Sequence, residues 1–308
     1  MATLETRLRE LVRSEVEFIE LIGEDLVAAG GKRVRPQMVF LVSRAVHGPH
    51  PKEVDFGAVI EMVHSASLLH DDLIDDAETR RGKEAAFRRY GNVVSIFAGD
   101  FLLSRQLSVL AQMPDPGAFV SLIAETSRRI CEGEVLQFQV AALQTYSMEH
   151  YLEIITGKTA VLYAAAARGA AMLHGASQDV QDACETFAIE YGRAFQIRDD
   201  LLDLIADEKT LGKPTGGDLR EGKATLPILY LFDDGVTEAR EIISRRAAHD
   251  GDVERMKHLA LEHGAIERSK LEIRRRAETA VSALQILPHS PARKALEELA
   301  LHEAERVA

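Results

Sequence analysis

Apolar residues recur at intervals of three and four along almost the whole chain. Val59, Met62, Val63, Ala66 and Leu69 form one such series, and Leu152, Ile155, Thr159, Leu162 and Ala166 another. This is the spacing of one face of an α-helix and not the alternation of a half-buried strand. Strand patterns are absent. Segments 54–75, 118–142, 148–171 and 178–206 run longer than an average helix and spread their apolar residues over wide arcs, as the central members of a bundle do. Gly, Pro and Asp cluster between them at 47–52, 113–117 and 174–178, and Pro36 falls near a helix start, where its missing N–H costs little. The pattern predicts an all-α protein, a single large helical bundle of roughly ten to thirteen helices. One domain is expected to span residues 1–308.

One stretch breaks the pattern. From Asp207 to Lys223 the chain holds Gly212, Pro214, Gly216, Gly217 and Gly222 together with Lys213 and Lys223. It is too short for a linker between domains, and its lysines suit a loop that closes over a ligand.

Composition narrows the class. Hydrophobic residues make up 46% and charged residues 28% of the 308, an ordinary globular mixture with enough apolar material for a large core. Lys and Arg number 37 against 49 Asp and Glu, a net charge of −12, which is the wrong sign for a nucleic-acid binder. Cys131 and Cys184 are too few for a disulfide framework and lack metal-ligand spacing, which points to a reducing, cytoplasmic location. The N-terminal MATLETRLRELVRSEVEFIELIGEDL mixes charges, and no window of about 18 uncharged apolar residues occurs. Neither a signal peptide nor an integral membrane segment is expected.

The candidate chemistry lies in two acidic clusters. HDDLIDDAETRRGK, at 70–83, places Asp71, Asp72 and Asp75 at positions i, i+1 and i+4, with Asp76 beside them. On a helix these carboxylates turn toward one side. Like charges at this spacing repel, so something positive belongs there. A lone cluster of this kind is usually a solvated helix end. FQIRDDLLDLIAD, however, repeats the spacing with Asp199, Asp200 and Asp203, again at the end of an apolar helix. Such carboxylates suit Mg²⁺, which takes one or two of them and completes its shell with waters and phosphate oxygens. Two clusters facing each other would grip one diphosphate through bridging magnesium.

Basic residues accompany them. GGKRVRP, at 30–36, supplies Lys32, Arg33 and Arg35 ahead of a helix, and Arg80 and Arg81 follow the first cluster; guanidinium forks and ammonium point charges both suit phosphate oxygens. Lys158 stands in an apolar helix, IITGKTAVLYAAAARGAA, where an unpaired ammonium is expensive to bury. It requires a ligand or a carboxylate partner.

Taken in order, GGKRVRP, LLHDDLIDDAETRRG, GNVVSIFAGDFLL, GEVLQ, YLEIITGKTA, YGRAFQIRDDLLD and GKPTGGDLREGKATLP resemble the trans-isoprenyl diphosphate synthases, the polyprenyl synthetase family, along nearly the whole chain. The resemblance implies the all-α prenyl-synthase fold, usually homodimeric. It also implies magnesium-dependent head-to-tail addition of isopentenyl diphosphate to an allylic diphosphate. By the same resemblance Asp71, Asp72, Asp75, Asp199, Asp200 and Asp203 hold the Mg²⁺ ions, three in number, bridged by the allylic diphosphate. Lys32, Arg35, His64 and Arg81 match the isopentenyl diphosphate site. Arg80, Lys158, Lys213 and Lys223 match contacts to the allylic diphosphate, Thr159 is a further substrate-binding residue, and Gln196 matches a polar residue at the reacting centre. Lys158, Gln196 and Lys213 join the aspartates as catalytic residues. Without the resemblance, His64 reads as a core histidine and Gln196 as a core hydrogen-bonder.

Product length is read from Ala66 and Ser67, five and four residues before Asp71, roughly 6–7.5 Å back along the helix axis. Short-chain members of the family commonly place an aromatic floor there. Both residues here are small, which favours a product longer than farnesyl, geranylgeranyl or a medium-to-long chain, unless a bulky residue such as Phe138 forms the floor. Three other readings compete: a catalytic subunit that needs an auxiliary chain, a class I terpene cyclase, and a purely structural bundle. The second aspartate cluster and the GGKRVRP segment argue against the last two.

Overall fold

Helical periodicity is realised nearly throughout the computed structural model, which describes residues 1–28, 30–80, 83–206 and 215–306. In order come α1 (Ala2–Leu11), α2 (Glu17–Ala28), α3 (Val34–Val46), α4 (Glu53–Ile74), a hairpin of β1 (Thr79–Arg80) and β2 (Lys83–Glu84), α5 (Ala86–Tyr90), α6 (Asn92–Leu110), α7 (Pro116–Leu143) and α8 (Met148–Ile155). A π-helical turn (Thr156–Ala160) leads into α9 (Val161–Leu173) and α10 (Gln178–Ile205). Then follow α11 (Gly217–Arg220), α12 (Leu226–Asp233), α13 (Thr237–Ser244), α14 (Asp252–Glu262), α15 (Ala265–Ala283), a 3-10 turn (Leu284–Ile286) and α16 (Pro291–Glu305). Three long predicted segments are found as α4, α7 and α10. The fourth, 148–171, is interrupted by the π turn, and the short helices α5 and α11 raise the number of segments. A hairpin pairing Thr79 with Glu84 and Arg80 with Lys83 was not expected, because strands of two residues leave no alternation to read.

The chain divides into two compact units. The first comprises Met1–Ser127, Ala165–Asp182 and Leu287–Arg293, with α4 as its axis. Phe56 to Val63 are buried without a break, so this helix is covered all round, packing against α6, α3 and α1; a helix apolar on every side is a core helix. Phe56 meets Phe119 edge-on at 5.2 Å. It also lies so close to residue 169 that a Cβ there would stand 2.1 Å from its ring, and that residue is Gly169. By length and composition alone, α6 is apolar enough to cross a membrane. It carries Asp100 and Arg105, packs along α4, and leaves Val93, Ile96, Phe97 and Leu107 exposed.

The second unit comprises Arg128–Ala164, Ala183–Ile286 and Lys294–Ala308. Its core gathers on α12, where Leu226, Pro227, Ile228, Leu229, Leu231 and Phe232 are buried against α8, α13, α14 and α15. From α10 come Ala194, Ile197, Leu201 and Leu204. Tyr191 stacks beside Phe187 and meets Tyr163 edge-on at 5.1 Å. Arg276 of α15 reaches Glu190 of α10 at 2.9 Å and is also paired with Glu272, so this buried cation is compensated.

Candidate active site

In the first unit the last turn of α4 carries the first aspartate cluster. Asp71 and Asp75, four residues apart, share a face and remain accessible, Asp71 half-buried and Asp75 exposed. Asp72 lies about 100° round the helix, is 4% exposed, and lines a cavity of about 360 Å³ with Arg33, Glu61, Leu68, Leu69 and Lys83. Two carboxylates therefore present themselves on the accessible face, where three were expected. The helix end is held in place. His70 Nε2 lies 3.2 Å from the Ile96 carbonyl, and the ring fits because residue 99 is Gly99, whose Cβ, if present, would be 2.4 Å from that nitrogen. Just beyond, Asp76 adopts φ 50°, and Arg88 donates to its carboxylate at 2.5 Å.

The segment before α3 sorts its basic residues in two directions. Arg35 Nη1 lies 3.2 Å from His64 Nε2, so two residues matched to the isopentenyl diphosphate site are brought together. Lys32 is exposed, its carbonyl accepting a bond from Gln37 at 2.6 Å. Arg33 turns inward with φ 47°, pairs with Glu5 at 2.9 Å and with Glu61, and donates to the Val27 carbonyl at 3.2 Å. It fastens α1 and α4 to the start of α3 and offers nothing to a phosphate. Arg80 lies on β1, and Arg81 falls outside the described residues. Ala66 is buried, and Ser67 donates to the His64 carbonyl at 2.9 Å. Neither borders the cavity lined by Asp72.

The second unit builds its site around the π turn TGKTA. π turns widen a helix by one residue and recur at functional sites. Here the turn is gripped by small residues. A Cβ on Gly133 of α7 would stand 2.9 Å from the Lys158 nitrogen, and one on Gly157 would stand 2.8 Å from the Arg129 carbonyl. A Cβ on Gly192 of α10 would stand 2.6 Å from the Ala160 Cα. These approaches deliver the chemistry. Glu134, next to Gly133, takes Lys158 in an ion pair at 2.7 Å, which is the carboxylate partner its sequence environment required. Thr159 donates to Gln196 at 2.8 Å, Gln196 donates to Asp200 at 2.8 Å, and Tyr151 donates to the other Asp200 oxygen at 2.7 Å. Lys158, Thr159, Gln196, Asp200, Asp218 and Lys223 line one cavity of about 190 Å³.

Of the second cluster, Asp199 is accessible, while Asp200 and Asp203 are buried. Asp203 accepts the Asp218 N–H at 3.1 Å at the start of α11. Burial is the main force pushing the Asp200 carboxyl up to about 6, and burial followed by the Asp200 charge pushes Asp218 up to about 8. Lys223, paired with Asp218 at 3.9 Å and with Glu221, offsets only part of this. Lys213 lies outside the described residues. Glu134, Tyr151 and Asp218 were not singled out from the sequence. Glu134 sits in the GEVLQ motif, which was one signal for it, and Asp218 follows GKPTGG.

The donor set fits magnesium. Among the described residues no three Asp, Glu, His or Cys are grouped so as to hold one ion. Each cluster instead offers hard carboxylate oxygens at an accessible edge, as suits an ion that fills its shell with water and substrate oxygens. The excess of acid over base around Asp200 and Asp218 calls for a cation of that kind.

Residues 16–260 match the family model for polyprenyl synthetase. The chain belongs to the polyprenyl synthetase family. Octaprenyl diphosphate synthase of Escherichia coli is 36% identical over 300 residues, covering 96% of this chain and 92% of its own. A short chain isoprenyl diphosphate synthase of Methanothermobacter thermautotrophicus is 34% identical over 97% and 94% of the two chains. A polyprenyl synthase of Caulobacter crescentus, solved in complex with calcium and isoprenyl diphosphate, superimposes with a TM-score of 0.91 at 36% identity, over 100% of this chain and 95% of that one. With this membership the all-α fold is that of the prenyl synthases, and the chain is an enzyme, a prenyltransferase of the polyprenyl diphosphate synthase kind.

Proposed function

We propose that this polyprenyl synthetase condenses isopentenyl diphosphate head-to-tail with an allylic diphosphate, in the presence of Mg²⁺, to make a trans-polyprenyl diphosphate longer than farnesyl. One bonded series in the second unit carries the reading. It runs from Glu134 to Lys158 and from Thr159 through Gln196 to Asp200, with Lys158, Thr159, Gln196 and Asp200 on the wall of a single cavity. In this reading Asp71, Asp72 and Asp75 of the first cluster and Asp199, Asp200 and Asp203 of the second would hold magnesium, with Asp71, Asp75 and Asp199 the accessible members. Bound magnesium supplies positive charge to a departing diphosphate.

The chain's own residues do the rest. Lys158, held by Glu134, and Lys223 place ammonium charge where the diphosphate leaves, and preorganised charge of this kind stabilises the transition state without reorganisation. Arg35 and His64, with Lys32 and Arg81, take the second diphosphate. Lys213 and Arg80 complete the allylic diphosphate contacts. Gln196, fixed at both ends of its amide by Thr159 and Asp200, keeps a carbonyl and an amide aimed at the reacting carbons. Apolar wall residues such as Ile154 and Leu229 shield an allylic cation from water. No side chain acts as a nucleophile, and the released diphosphate takes the proton.

The two relatives differ in product class at nearly equal identity, so length is argued from the chain. Ala66 and Ser67 are small and put no aromatic side chain on α4 at that level, which supports the longer product, and Phe138 is 76% exposed. The exposed apolar residues Val93, Ile96, Phe97 and Leu107 of α6 support a homodimer formed through that helix, in place of a membrane span. A single catalytic domain over residues 1–308 and a cytoplasmic location complete the proposal.

The test is incubation of the chain with Mg²⁺, labelled isopentenyl diphosphate and, separately, dimethylallyl, geranyl or farnesyl diphosphate. Linear prenols of geranylgeranyl length or longer are expected after dephosphorylation. A stop at farnesol sinks the length argument. No incorporation with any primer sinks the autonomous enzyme and favours one that needs an auxiliary chain.

A further inference from the structure

Behind the second aspartate cluster lies a buried Arg198–Glu303 ion pair that the mechanism above does not use, with the accessible Asp199 as the arginine's other partner. Arg198, immediately before Asp199 on α10, is 2% exposed, and Glu303, on the C-terminal helix α16, is 3% exposed. The guanidinium meets a carboxylate at each end. Nη1 pairs with Glu303. Nε donates to Oδ1 of Asp199 at 3.0 Å, and Nη2 donates to the same oxygen. The flat face lies over Phe195, with Cζ 4.5 Å from the ring centre. A ring beneath and a carboxylate at each end hold the planar fork in one orientation.

Charge explains why both carboxylates are needed. An arginine touching a metal-binding carboxylate competes with the metal for it, and with a single partner a buried guanidinium presses its full charge on that partner. Glu303 supplies the opposing charge from the far side, so the triad as a whole keeps the negative charge of Asp199. Both bonds to Asp199 fall on Oδ1, which leaves Oδ2 outside the pair. Groups standing behind a metal ligand in this way set its orientation and basicity.

We propose that Arg198 and Glu303 form a positioning pair for Asp199. Arg198 fixes the carboxylate through one oxygen, Glu303 cancels the charge of the arginine, and the C-terminal helix is thereby part of the divalent-cation site. The proposal rests on the reading of Asp199 as a magnesium ligand.

The full-length chain is compared with Glu303→Gln, Arg198→Met/Glu303→Met and Asp199→Asn. The midpoint of thermal unfolding is followed against Mg²⁺ concentration at a fixed, saturating concentration of inorganic diphosphate, alongside the Mg²⁺ dependence of condensation. Glu303→Gln is expected to need roughly tenfold more Mg²⁺ for the half-maximal rise. The double variant leaves no buried charge unpaired and is expected to need less than Glu303→Gln, because the uncompensated cation is gone. A lower melting point in Glu303→Gln with an unchanged Mg²⁺ midpoint makes the pair merely structural and overturns the proposal. A double variant as impaired as Glu303→Gln overturns the charge cancellation. Asp199→Asn is expected to abolish or strongly weaken the Mg²⁺ response. If it responds like the parent, Asp199 leaves the metal site and the proposal falls with that reading, a result distinct from failure of the pair alone.

Discussion

A single residue's role here depends on which way its side chain is sent, and neighbours in the sequence are sent differently. Lys158 is held by Glu134 at 2.7 Å, so its ammonium is placed before any ligand arrives. Glu134→Gln frees it. The expected result is a fall in kcat of up to about a hundredfold, the cost of a misplaced catalytic group, with an unchanged helical circular dichroism spectrum. Asp252 illustrates a purely structural carboxylate. It accepts two bonds from Arg245, at 2.8 and 2.6 Å, and one from the His249 N–H at 3.0 Å, and these bonds, those from Arg245 first, pull its carboxyl down to about 2. A folded value below the unfolded one, which is about 3.9, stabilises the fold above the unfolded value. That contribution is lost as pH falls through the folded one. Asp252→Asn should therefore lower the urea midpoint at pH 7, with the gap to the parent closing as pH falls from about 4 toward about 2.

At the scale of elements, the π turn and its glycine neighbours decide the site. Gly133→Ala puts a methyl group 2.9 Å from a backbone nitrogen that cannot yield as a flexible side chain does. Overpacking of this kind costs about 1–3 kcal/mol, and here it also parts Glu134 from Lys158. Loss of activity with a clearly lowered melting temperature is expected. Gly117→Ala in the same helix has its nearest contact at 3.7 Å and should leave both unchanged, separating close approach from helix propensity. If the two alanine variants behave alike, the packing argument is wrong. The existence of these helices was readable, because a period of three to four persists over α4, α7 and α10. The break at residues 156–160 was not, since TGKTA carries no helix-breaking proline and its widening comes from the helices on either side.

At the scale of the whole molecule, α6 leaves Val93, Ile96, Phe97 and Leu107 exposed along one helix. Phe97→Glu, at a position 61% exposed, puts a charge among them. A homodimer built through α6 should dissociate, so that light scattering gives the mass of one chain where the parent gives two. An unchanged dimer mass would place the interface elsewhere.

The sequence by itself determined the class of the molecule and its chemistry. Helical periodicity, the two aspartate clusters and the ordered motifs are local patterns, and local patterns survive in a one-dimensional record. Only the tertiary structure decided which members of each cluster are accessible and which are buried. Asp71 and Asp72, or Arg33 and Arg35, are close in the chain, yet one of each pair is turned inward against Glu61 or its cavity. The helix angle separates them, but which direction is interior depends on elements far away in sequence. For the same reason Glu303 could not be linked to Arg198, which lies 105 positions earlier in the chain. Close backbone approach and burial of paired charge are properties of packed elements, and they exist only once the chain has folded.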